Sequence, residues 1–473
     1  MKKKFLYSLV CAGMLTVTFA HGFMGMTERE RSTINDRMDR QNLRKKSTFT
    51  VDTSPRMLEQ PSEETVEGEF DVAKTPPTVK MMILPGMEPA YFPEDQADHA
   101  VWANWGKVTR SNDNRFFFSV GDHRGIGCQI NLYEYCPGRE SLDMVLDVSD
   151  LFGWTDKTYT DGKIHGRMGI MPDGTLWAAT HYGVYPDSSW WANGYRGSWM
   201  LSYNINTHEA INHGVPLIGN MLPEFNVDTV RGKFVGTGAN DTMLSYDTIN
   251  RRVAYAGYPP EGWIWWRRAM LLDDETGFFW STDMSDGKFR FLSFDPELNR
   301  FQRYDLTAPP NPFSGQIAQL RGYTEHRTAD GAYYCVSQNG TLFRFRPEIP
   351  SVEPAGVNWD RGRYTSTVAL DPSGRYFYYM PGGMKGQNAN EYGPIVQYDT
   401  VTGRKKVIAW LVDYYYDTYG YWVGGTYGME ISQDGSFLVI CMNGAFTERD
   451  DENGSPYGNP SLFVVEIPES ERP

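Results

Sequence analysis

The stretch Leu370-Asp371-Pro372-Ser373-Gly374-Arg375-Tyr376-Phe377-Tyr378-Tyr379 is a polar turn that runs straight into a cluster of strand-forming rings. Asp, Pro and Gly supply turn geometry, and aromatic residues favour a half-buried pleated surface. Further on, Val396-Gln397-Tyr398-Asp399 alternates as a strand does. Thr402-Gly403 then turns the chain into a last strand through Val407-Ile408. The unit is four strands: inner strand, tight Asp/Gly turn, second strand, longer loop, third strand, turn, fourth strand.

The same turn recurs along the chain. It appears as Asn112-Asp113-Asn114 before Phe116-Phe117-Phe118, Asp173-Gly174 before Leu176-Trp177, Asp228 to Gly232, and Asp274 to Gly277 before Phe278-Phe279-Trp280. It recurs as Asp330-Gly331 before Tyr333-Tyr334, Asp371 to Gly374, and Asp434-Gly435 before Phe437-Leu438-Val439. Third strands repeat too, as Leu201-Ser202-Tyr203-Asn204, Leu244-Ser245-Tyr246-Asp247 and Leu292-Ser293-Phe294-Asp295. The turn Asp residues are 60, 55, 46, 56, 41 and 63 positions apart. Four strands at that period, seven times over, predict an all-β fold, a seven-bladed β-propeller spanning residues 78–473. The apolar run Val79 to Leu84 precedes the first blade, and its expected place is against the last blade. There it would close the ring and hide its edge.

Residues 1–20 read as a signal peptide. Lys2, Lys3 and Lys4 precede an apolar stretch too short to span a bilayer comfortably, and Thr18 and Ala20 are small residues at the −3 and −1 positions. Cys11 follows a poor lipobox, so no lipid anchor is expected. Residues 21–77 form the N-terminal arm; from about Phe23 they are rich in Glu, Arg, Thr, Ser and Pro without a strand period. They read as a disordered or extended arm, loosely attached. No later segment is long and apolar enough to cross a membrane, so the expected location is secreted or periplasmic.

The formal charge of −14 excludes a nucleic-acid partner on electrostatic grounds. A polyanion would need a local basic pocket. Cys128 and Cys136 bracket a strand-like run whose ends are about 26 Å apart at strand rise. Cys335 and Cys441 fall in non-adjacent repeats. Free buried thiols are therefore expected, and no cysteine zinc pair is present. The sequon at Asn339-Gly340-Thr341 reads as an ordinary blade turn.

In a propeller the starts of the inner strands and the loops after the second strands converge on one mouth of the channel. Here those positions hold Asn104, Trp105, His165, Arg167, Asn226, Arg267, Arg268, Gln319, Arg321, Arg363, Tyr364 and Tyr427. The loops add Asp122, His123, His181, Tyr182, Asp283, Asn339 and Asn443. His123, His165 and His181 fall in the first two blades and are candidates for a general base, a substrate contact or metal ligands. Arg167, Arg268 and Arg321 are of the type that pairs bidentately with carboxylates, or with an Asp or Glu of a neighbouring blade. Tyr182, Tyr195, Tyr364 and Tyr427 suit sugar stacking or proton transfer. Trp263, Trp265 and Trp266 read as packing between blades. There is no G-x-S-x-G elbow, phosphate loop or H-E-x-x-H motif.

The stretches Trp102-Ala103-Asn104-Trp105-Gly106, Gly121-Asp122-His123, Gly162-Lys163-Ile164-His165-Gly166-Arg167 and Ala179-Thr180-His181-Tyr182-Gly183 resemble a group of seven-bladed bacterial polysaccharide lyases. So do Gly424-Gly425-Thr426-Tyr427-Gly428, Asn443-Gly444 and the ending Val464-Val465-Glu466-Ile467-Pro468. The group includes ulvan lyases and, more distantly, oligogalacturonate lyases, beside lactonase-like propellers. The resemblance implies β-elimination on a uronate-containing anionic carbohydrate. An Arg or a metal neutralises the carboxylate, and His or Tyr serves as base and acid. It implies His165 and His181 as catalytic, with Arg268 and Tyr182 as weaker matches; the convergent positions supply His123, Arg167, Asn104, Arg321, Tyr364 and Tyr427 as candidate substrate-binding residues. It leaves the cofactor open, with Ca²⁺, Zn²⁺ or Mn²⁺ as candidate metals. Two other readings stand beside it: a metal-dependent lactonase-like hydrolase, and a propeller that binds glycan or protein without turnover. A glycosidase would need two opposed carboxylates, for which Asp122 and Asp283 are the candidates.

Overall fold

A computed structural model describes residues 50–62, 64, 66–87, 102–382, 393–446 and 456–472. The expected signal peptide and the arm up to residue 49 lie outside the described residues. Seven antiparallel sheets stand in a ring, one per predicted unit. Blades 1 to 7 span residues 109–147, 169–212, 224–257, 271–307, 320–357, 369–409 and 422–466.

Each Asp/Gly turn joins the first two strands of its blade. In blade 6, Asp371 accepts from the Tyr376 amide at 2.6 Å and the Ser373 amide at 3.0 Å. Gly374 takes φ +71°, the left-handed conformation a side chain would disfavour. Second and third strands are buried on both faces, as in Phe116–Gly121 and Ile130–Cys136. The rings of neighbouring blades interlock there: Phe291 stacks on Phe345 at 4.6 Å and Trp280 meets Phe345 at 5.0 Å, tying blade 4 to blade 5.

The ring closes as the sequence suggests. Thr78–Ile83 pairs antiparallel with Ser461–Glu466 as the fourth strand of blade 7. Thr50–Asp52 adds a fifth strand outside it, and Asp71–Val72 adds a parallel fifth strand to blade 6. The described residues among 50–77, placed by composition in a loose arm, are thus packed against blades 5 to 7 in this structure. The Met57 side chain is fully buried in a core cluster with Leu411 and Tyr415. Its carbonyl accepts from the Trp410 amide.

Cys128, Cys136, Cys335 and Cys441 are free and buried. Asn339 is held in its turn by Ser337 and Thr341 hydroxyls and by its own amide bond to the Gln316 carbonyl. No helix among the described residues is long and apolar enough to cross a membrane.

Candidate functional site

Two cavities flank the axis. The first, of ≈ 360 Å³, opens at the mouth where the inner strands start. Lys163, His165, His181, Tyr182, Trp266 and Arg268 are among its lining residues, with Tyr185 at the rim. The four residues expected to be catalytic therefore meet. They do so across blades 2, 3 and 4, not at the first two blades. His123 stands aside: it is buried beside Trp105, with ring centroids 5.9 Å apart, and Gly183 packs onto its backbone.

A bridge between Lys163 and His181 holds the run before the blade 2 inner strand against the loop after its second strand. This pairing sets the His165 and His181 rings 5.9 Å apart, nearly edge to face. Tyr182 lies 4.0 Å from the His181 ring. Burial first, then the charges of Arg268 and Arg321, hold His165 well below the usual histidine value. Burial and Lys163 do the same for His181. Both rings are neutral at pH 7 and able to accept a proton. Burial raises the Tyr182 phenol, which keeps its proton.

Lys163, Arg267 and Arg268 carry the positive charge of the cavity; Arg267 is 3.8 Å from Asp241, which leaves Arg268 and Lys163. Neither has an ion-pair partner among the described residues. The Lys163 ammonium lies 5.3 Å from the Trp105 ring and 5.4 Å from the Tyr182 ring. Burial and then Arg268 bring its pKa down to about 7.

Arg321, Tyr364 and Tyr427 form a floor behind the cavity. Arg321 is 1% exposed, donates to the Tyr364 hydroxyl at 2.6 Å and to the Arg268 carbonyl at 2.8 Å, and lies 5.7 Å from the Tyr427 ring. Lys107, beside it, is buried and donates to the Ser366 carbonyl. Asn104 is fully buried and exchanges hydrogen bonds with Asn443, joining blade 1 to blade 7. Tyr195 donates to Asp161 at 2.5 Å. Trp265 is core, Trp263 lies under Arg303, and Trp266 reaches the cavity wall.

Arg167 and Asn226 line the second cavity, of ≈ 330 Å³, among the Asp/Gly turns at the other end. Arg167 pairs there with Glu325 and lies 3.9 Å from Glu430. Its distance from the first mouth follows from strand geometry: two residues beyond His165 is the same face, about 6–7 Å further along the axis.

Asp122 and Asp283 are loop anchors. Asp122 takes Arg124 and the Gln129 amide; Asp283 takes Arg303 and the Ile264 and Ser285 amides. They do not oppose each other across a sugar site. Among the described residues no group of three or more His, Cys, Asp or Glu side chains is placed to hold a metal ion. The donor set of the cavity is two imidazoles among cations, which does not fit a divalent metal.

The inner-strand map passed over Lys163, Lys107 and Glu224. Lys163 and Glu224 each sit two residues before a residue the map did name, His165 and Asn226. The period of 2 was the available signal.

What these features define is a seven-bladed β-propeller with a cationic, histidine-bearing cavity at one mouth. No family model matches the chain, and no curated protein matches it. Among solved structures, the WD40 repeats of RRP9 align with a TM-score of 0.44 at 8% identity, over 82% of this chain and 97% of that one. A structure of U3-55K aligns with a TM-score of 0.44 at 7% identity, over 82% and 98%. Likeness at that level concerns overall shape and carries no inference about function.

Proposed function

We propose that this cavity binds a uronate-containing anionic carbohydrate outside the cytoplasm and cleaves it by β-elimination. One observation carries the reading: two cations without an ion-pair partner among the described residues, Arg268 and Lys163, share a ≈ 360 Å³ cavity with two neutral imidazoles. A volume of that order suits a small-ligand subsite. A cation that already serves a protein carboxylate has little to offer a ligand. These two remain available to a substrate carboxylate. Two of the stretches that resemble the lyase group, those holding Lys163 and His165 and holding His181 and Tyr182, contribute to its lining.

The chemistry follows from the residues present. Arg268 and Lys163 neutralise the uronate carboxylate, which acidifies the proton on C5 and stabilises the charge that develops as it leaves. His165 or His181 takes that proton. The C4–O4 bond breaks as the C4=C5 double bond forms, and Tyr182 supplies the proton that departs with O4. Tyr185, 62% exposed at the rim, offers a face for a neighbouring sugar ring.

The test is the ultraviolet absorbance of the unsaturated uronate product, followed on a panel of uronate polymers. Product from at least one polymer is expected, with His165→Ala reducing the rate by ~10²-fold or more. Saturable binding of a polymer without product would replace the lyase reading with a binding propeller.

A further inference from the structure

Glu224 opens the inner strand of blade 3, Glu224–Asp228, and is 1% exposed. Neither of its carboxyl oxygens has a hydrogen-bond partner among the described residues. His165 Nδ1 stands 3.5 Å from Glu224 Oε2, and that nitrogen is buried and without a hydrogen bond too. A buried polar group with no partner is unfavourable. Here two of them face each other about 0.3 Å beyond the usual hydrogen-bond range. Hydrogen bonds that act in catalysis are often long in a ligand-free site and tighten with substrate in place.

We propose that Glu224 is a positioning residue that accepts the Nδ1 proton of His165, leaving Nε2 as the free lone pair on the cavity side. A neutral imidazole has one N–H and one acceptor nitrogen, and the partner of the first decides which atom is the second. Without an acceptor at Nδ1, the proton is free to sit on Nε2, where it would block the base.

The other groups around His165 cannot take this part. Lys163 is on its own run, Lys107 leads into blade 1, Arg268 into blade 4, and Arg321 is on blade 5. All four are basic side chains, and none offers a carboxyl oxygen to the ring. The His181 and Tyr427 rings meet His165 at 5.9 and 6.2 Å between centroids, as packing contacts. Glu224 supplies the carboxyl oxygen that faces the ring, 3.5 Å from Nδ1. Burial raises its pKa, opposed by the basic groups around it.

The catalytic part of this role rests on the elimination reading; the tautomer does not. The experiment is therefore the ¹⁵N spectrum of the full chain labelled at histidine, with His165 assigned by its loss in His165→Asn. The wild type is expected to show a proton on Nδ1 and a bare Nε2. Glu224→Gln still presents an acceptor oxygen and keeps that tautomer. Glu224→Leu moves the proton toward Nε2, and on a uronate substrate its kcat falls about 100-fold with KM little changed. A wild-type proton on Nε2, or a tautomer unchanged in Glu224→Leu, overturns the assignment. If the Leu variant does not fold, the wild-type and Gln spectra decide. Absence of lyase activity would sink the elimination reading and leave the tautomer measurement standing.

Discussion

At Lys163, the preference of an ammonium for water is opposed by its surroundings. Two aromatic faces replace part of its hydration, and the charge of Asp161 offsets burial only in part. With a pKa near 7, it is charged below that pH and neutral above it. Affinity for an anionic oligosaccharide should therefore fall as pH rises through about 7, and Lys163→Met should remove that step; calorimetric titration on both sides of neutrality measures it. Stability has the opposite sign. The unfolded lysine titrates near 10.5, so between about 7 and that value the unfolded chain holds the extra proton. Stability contributed at this residue rises with pH across the window, and Lys163→Met should flatten the rise in thermal melts. Arg268→Ala loses a charge-assisted contact of about 1.5–3 kcal/mol, roughly 10- to 100-fold in kcat/KM, with little change in melting temperature. The histidines and Arg268 were legible because a repeat converts scattered positions into one mouth. Lys163 and Glu224 were not, because a Lys or Glu in a strand pattern ordinarily reads as a solvated face.

At the scale of elements, the same contrast separates the blades from the strap that precedes them. A blade announces itself seven times, and each Asp/Gly turn repeats one local solution: in blade 7, Ser432 and Asp434 cap the amides of Ser436 and Phe437 around Gly435. The strap occurs once. Its strands, Thr50–Asp52 and Asp71–Val72, are three and two residues long, too short for a period to show. Its apolar anchors are few, and its remaining ties are polar. Asp52 accepts from the hydroxyls of Tyr414, Tyr415 and Tyr419, and Glu64 from Trp359. Composition alone registers such a segment as loose. Met57 is where the distinction becomes measurable. A fully buried methionine cut to alanine costs about 2–5 kcal/mol, whereas one in a loose arm costs almost nothing. Met57→Ala should lower the denaturation midpoint by an amount in the first range. An unchanged midpoint would mean that residues 50–77 do not hold to the blades.

For the molecule as a whole, closure decides whether seven sheets make one fold. Six blades take all four of their core strands from one continuous stretch, while blade 7 borrows its fourth from residues nearly 400 positions away in sequence. That single exchange joins the ends of the ring. It also covers the edge of Ser461–Glu466, which would otherwise offer unpaired amides to another chain. Thr78–Ile83 is bonded on both sides, Met81 standing opposite Phe463 on one and Thr50 on the other. Val51 lies on the outermost strand, opposite Lys80 alone. A proline in the two strands should therefore act very differently, since it removes an amide and is tolerated chiefly at edges. Met81→Pro is expected to yield aggregated or proteolysed protein. Val51→Pro should stay folded, with a melting temperature lowered by about one degree, about what a loss near 1 kcal/mol produces in a chain this long. Equal effects from the two would mean that the borrowed strand is an ornament of blade 7 and that the other six blades hold the ring unaided.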